Sequence, residues 1–137
     1  MFKNIAVPFD LAHAEKQEKA INAAADLAKH YGASLTIVGV TSNTPTEMAH
    51  NPTEFAERLA EYAAMQTEKY GVDFQSHSTV SVDMTVDLEK RLNKAIHEID
   101  ADLIVMASHE PGFRDFLFRS HSGNLATHTD LSVMIIR

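Results

Sequence analysis

The sequence predicts an α/β domain in which parallel strands alternate with helices. Three observations carry that reading. Four short apolar runs, at residues 5–7 (IAV), 35–40 (LTIVGV), 103–106 (LIVM) and 133–136 (VMII), are continuous rather than alternating. That is the pattern of strands buried on both faces of a parallel sheet. Between the runs lie stretches with apolar residues at helical spacing, and turn-forming residues separate the two kinds of segment. The order is β-α-β-α-β-α-β-α-β, from which parallel strands joined by crossover helices follow.

The elements are taken in chain order. The first run is stopped by Pro8, and Phe9 and Asp10 follow it. Ile21, Ala24, Ala25, Leu27, Ala28 and Tyr31 make the stripe of a first helix, which Gly32 ends, because glycine accepts the left-handed backbone of a C-cap. The second strand leads into a loop over 41–50. Asn51, Pro52, Thr53 and Glu54 then supply a cap, a first-turn proline and a carboxylate three residues on. Phe55, Leu59, Tyr62, Ala63 and Tyr70 continue that second helix to Gly71. Residues 74–82 (FQSHSTVSV) differ, since Val80 and Val82 alternate with polar residues, and they read as an edge strand. Leu88, Leu92, Ala95, Ile96 and Ile99 mark a third helix. The fourth strand opens into a second long loop over 108–119. A weaker fourth helix is expected from near Ser120 to about His128, ahead of the last strand. No repeat, linker or low-complexity tract divides the chain, so one domain over 1–137 is expected.

Composition narrows the function classes. The 137 residues can bury a core without staples, and the absence of cysteine excludes disulfides and thiolate metal sites. A net charge of −7 argues against general nucleic-acid binding through phosphate neutralisation. The N-terminal apolar run is too short for a signal peptide and no segment approaches a membrane span. A soluble, cytoplasmic protein is the expectation.

Both long loops follow strands, and open α/β folds place their ligands at the carboxyl ends of their strands. Three pieces meet there. Asp10 ends the first strand with a carboxylate that can accept from a ribose or a base amine, or can simply cap the turn that follows. Ala107 and Ser108 are small, so a ligand could approach their backbone. Arg119, Ser120, His121 and Ser122 open the last helix with two hydroxyls, a cation and free N–H groups, suited to phosphate and equally suited to self-capping.

The residues VPFD near the start and MASHEPGFRDFLFRSHSGNLATHTDLSVMIIR at the end resemble the two signatures of the universal stress protein family, in its small bacterial subgroup with an Ala-Ser-His-x-Pro loop. The resemblance implies a three-layer sandwich on a five-strand parallel sheet of order 3-2-1-4-5, the adenine nucleotide hydrolase-like architecture. It implies homodimers joined through the last strand (Val133, Met134, Ile135, Ile136), and ATP or AMP binding without fast turnover, with magnesium accompanying ATP. By the same resemblance Pro8, Phe9 and Asp10 line the adenosine end and Val40 meets the adenine through its backbone. Met106, Ala107 and His109 flank ribose and phosphates, and Ser120, His121 and Ser122 donate to the phosphates.

The chain departs from the glycine-rich ATP pattern at Ala107, Glu110 and Arg119. Arg119 stands where a glycine lets the chain pass close to the phosphates, so it either fills that space or, with Arg114 nearby, supplies cations to the phosphate. Glu110 adds negative charge beside a polyphosphate. The alternative function is therefore a dimeric interaction module with a closed pocket and no cofactor. Slow ATP hydrolysis is the most that catalysis could amount to, because Asp10 is the one carboxylate in place. The eight histidines, His109, His121 and His128 among them, lack the spacing of a zinc site, and no nucleophile elbow, dinucleotide fingerprint or Walker loop is present.

Overall fold

The computed structural model describes residues 1–45, 49–108 and 131–137. Five strands form one parallel sheet: β1 (Asn4–Pro8), β2 (Ser34–Ser42), β3 (Phe74–Ser81), β4 (Leu103–Ala107) and β5 (Ser132–Ile136), in the order β3-β2-β1-β4-β5. The helices are α1 (Glu18–Tyr31), α2 (Pro52–Tyr70) and α3 (Met84–Glu98), and a 3₁₀ segment, Leu11–Gln17, joins β1 to α1. The expected strand order and the edge position of β3 both hold. The expected fourth helix, residues 120–128, lies outside the described residues.

The helix ends obey local chemistry. Gly32 and Gly71 take φ values of 63° and 69° and close α1 and α2 as left-handed caps. At the start of α2 the Glu54 N–H donates to Asn51 Oδ1 at 2.8 Å, and Glu54 Oε2 accepts the His50 N–H at 3.0 Å. That N–H bond, reinforced by Arg58, holds the Glu54 carboxyl below the usual carboxylate range.

Alternation along each strand sorts the core into two layers. Ile5, Val7, Leu35, Ile37, Leu103 and Val105 face α1 and α2, packing on Ile21, Ala24, Phe55 and Leu59. Ala6, Val38, Val40, Ile104 and Met106 face α3 and meet Leu92, Ala95 and Ile96. Burying side chains such as Leu59 and Leu92 is worth about 1.5–3 kcal/mol each. Gly39 makes room for α2, since a Cβ there would stand 2.9 Å from Phe55 Cζ and 3.0 Å from Leu59 Cδ2. Both helices that follow β1 and β2 lie on one face, and α3, which leads into β4, lies on the other. The winding therefore reverses between the neighbouring strands β1 and β4.

The last strand departs from expectation. Its continuous apolar run predicts burial on both faces, yet Val133, Met134 and Ile135 are 40%, 38% and 45% exposed. The reason is position: among the described residues β5 ends the sheet, with β4 as its partner strand.

Candidate functional site

The two edges of the sheet are built differently. At the amino edge the Asp102 carboxylate accepts the N–H groups of Lys3 and Asn4 at 2.8 and 3.1 Å, tying β4 to the start of β1. At the carboxyl edge β1 stops early. Its pairing with β2 ends at Pro8↔Val38, and the Phe9 N–H donates to the Val38 carbonyl at 2.9 Å as a final rung. Beyond it β2 runs on to Ser42 beside β3 alone. Alternate residues of a strand turn their backbone groups to alternate neighbours. Val40 therefore turns its N–H and C=O the way Val38 does, toward space that β1 has already left. A donor and an acceptor side by side on one residue match a base edge that presents an acceptor beside an amine.

Asp10 stands where β1 leaves the sheet. Its backbone is extended, with φ −101° and ψ 108°, and Oδ1 accepts the Ala12 N–H at 3.0 Å. Oδ2 lies 2.8 Å from His13 Nδ1, and the Asp10 and His13 side chains are 39% and 49% exposed. A carboxylate oxygen accepts two hydrogen bonds, so each Asp10 oxygen keeps a lone-pair site for a hydroxyl or amine. Asp10 is thus both a turn cap and a half-open acceptor.

The other residues expected at the site contribute mainly backbone. The Phe9 ring is 1% exposed and stacks on Tyr62 at 4.5 Å between centroids, inside the α1–α2 layer. Met106 is fully buried against α3, and Pro8, Val40 and Ala107 are buried as well. Burial, followed by the charges of Tyr70 and Glu18, pushes the Tyr62 phenol up to about 12. The Ser108 N–H donates to the Ile136 carbonyl at 2.9 Å, while its Oγ is buried with no hydrogen-bond partner among the described residues. His109, Glu110, Arg119, Ser120, His121 and Ser122 lie outside the described residues. Next to Ala107 a cavity of about 730 Å³ is lined by Lys16, Lys19 and Arg137 with Glu15 and Glu18. Those cations escaped the sequence reading, because lysines near a helix start look like any solvated face.

Sequence reasoning also missed His13 and Gln17. Gln17 is 1% exposed, one turn before Ala20 and Ile21 on the core-facing stripe. A polar residue in that register was the available signal. Among the described residues no cluster of three His, Asp or Glu side chains is placed to hold a metal, and no helix is long and apolar enough to cross a membrane.

An open, doubly wound parallel sheet, with Asp10 standing where the winding reverses between β1 and β4, defines the class: a three-layer α/β domain. The Universal stress protein family model matches residues 1–137, and the chain belongs to that family. It is 23% identical to Universal stress protein G of Escherichia coli O157:H7, across 100% of both chains. A universal stress protein family structure from Burkholderia pseudomallei superposes with a TM-score of 0.67 at 24% identity, covering 98% of this chain and 95% of that one. The Archaeoglobus fulgidus protein in complex with dAMP gives 0.62 at 20% identity, covering 98% of each. A universal stress protein in complex with cAMP gives 0.62 at 17% identity, with coverages of 99% and 97%.

Proposed function

We propose that this universal stress protein binds an adenine nucleotide, AMP or ATP, in the carboxyl-edge cleft between β1, β2 and β4. The observation that carries the reading is the outward-turned N–H and C=O of Val40, left without a β1 partner beside the half-open Asp10 carboxylate. Adenine offers an exocyclic amine next to a ring nitrogen, which such a pair recognises, and Asp10 accepts from the ribose hydroxyls. The orphaned Ser108 hydroxyl supplies a further donor at the end of β4. The dAMP and cAMP complexes of two family members support the ligand class. With ATP, magnesium would neutralise the phosphates, and the half-exposed Asp10 carboxylate is one acidic group at the described rim that could face it.

The output follows from β5. Its exposed Val133, Met134 and Ile135 form an apolar ribbon on an edge strand, a surface suited to a second copy of the chain. A cytoplasmic homodimer whose partner contacts respond to nucleotide, rather than an enzyme releasing product, is the function that fits.

One observation favours the second reading, a closed-pocket interaction module. Both Asp10 oxygens already hold partners within the chain. Thermal denaturation with millimolar AMP, or ATP with magnesium, separates the two. A bound nucleotide in hundredfold excess over its Kd raises stability by about 2.7 kcal/mol, whereas the module shows no shift.

A further inference from the structure

Gln17 occupies the N-cap position of α1, yet its side chain makes no cap bond to that helix. It turns backward instead. Its Oε1 accepts the Asp10 N–H at 2.9 Å, and its Nε2 donates to the Asp10 carbonyl at 2.7 Å and to the His13 carbonyl at 2.9 Å. The amide is buried at 1% exposure, and every one of these partners belongs to the turn that carries the Asp10 carboxylate. A buried amide costs stability unless its hydrogen bonds are made. Here both of its N–H groups and its oxygen are spent on that turn.

We infer that Gln17 is a positioning residue for the nucleotide site. Its amide closes the turn from Asp10 to His13 and so fixes where the Asp10 carboxylate points. Three bonds at 2.7–2.9 Å leave the Asp10 backbone little freedom, and the carboxylate is presented with one face on Ala12 and His13 and the remainder toward solvent. The inference rests on the reading of Asp10 as a nucleoside contact and adds the device that holds it.

Gln17→Leu keeps the volume and removes all three bonds. The test compares wild type, Gln17→Leu, Asp10→Asn and the double variant in two measurements. The first is amide exchange by NMR without ligand, where Gln17→Leu should lose protection at Asp10 and Ala12 while Ile37, in the sheet, keeps its own. The second is AMP affinity by calorimetry at a temperature where all variants are folded. Gln17→Leu should bind about tenfold more weakly, and it should add little on top of Asp10→Asn, because Gln17 acts through that carboxylate. Unchanged protection at Ala12, or losses that simply add in the double variant, overturns the inference. If Gln17→Leu does not fold, Gln17→Met makes the same comparison. A wild-type protein indifferent to AMP sinks the nucleotide reading alone, and the exchange result then decides whether Gln17 holds the turn.

Discussion

The Phe9 N–H donates to the Val38 carbonyl at 2.9 Å, and that bond is the last between β1 and β2. One residue later the chain commits the Phe9 carboxyl side to a turn, and two residues further along β2 the Val40 backbone is left facing the gap. The cleft is a consequence of strand length: β1 has five residues and β2 has nine. Asp10, just past the end of the short strand, places a half-exposed carboxylate at the mouth of that gap.

Asp10→Asn keeps the Ala12 cap and removes the charge. Charge-assisted hydrogen bonds contribute about 1.5–3 kcal/mol, so AMP affinity should fall roughly ten- to hundredfold by calorimetry. The melting temperature should move little, since an amide oxygen still accepts from Ala12. Equal affinity in the two proteins would remove Asp10 from the site.

Gly39→Ala should destabilise the fold. The new methyl would meet Phe55 and Leu59 at 2.9–3.0 Å, and overpacking of this kind typically costs about 1–3 kcal/mol. Denaturant unfolding reads it, and a companion Leu59→Ala substitution should recover part of the Gly39→Ala penalty by vacating one of the contacts.

Tyr62 predicts alkaline behaviour. Its phenol is raised to about 12 in the folded protein, whereas an unfolded tyrosine titrates near about 10. Folding therefore favours the neutral phenol. This contribution is complete below about pH 10 and is lost as pH rises toward about 12. Tyr62→Phe, which preserves the stack on Phe9, should show a shallower loss of stability across that window. Identical alkaline profiles for the two proteins would contradict the assignment.

The exposed β5 ribbon predicts a dimer. Met134 shares a sheet face with Val105, and at 38% exposure it contributes to the surface rather than the interior. Met134→Asp should convert a dimer into a folded monomer on a sizing column. A wild-type protein that already elutes as a monomer would remove β5 as the joining surface.

Most of the fold was legible in the sequence because its signals are local. Gly32 and Gly71 end helices through left-handed geometry that favours glycine, and the Asn51–Glu54 cap forms as its spacing implies. Continuous apolar runs at 35–40 and 103–106 became the buried β2 and β4. The run at 133–136 looks the same, but its exposure depends on the sheet ending there, which no local pattern encodes. Of the described candidate-site residues, Asp10, Ala107 and Ser108 stood out in the sequence as residues past or at a strand end. Val40 was named only through the resemblance, because the outward turn of its backbone depends on where β1 stops relative to β2, a matter of register. Gln17 was hidden for another reason: its partners are main-chain atoms, which any sequence could have supplied.

The decisive measurement is an NMR titration of isotope-labelled protein with AMP, read at the Val40 amide. If the Val40 backbone, which has no β1 partner, receives the base, that signal shifts strongly with Asp10 and Ser108, while Leu35 and Phe74 at the opposite edge stay fixed. A Val40 amide unmoved at millimolar AMP would contradict the cleft as a nucleotide site and leave a family fold that works by surface contacts alone.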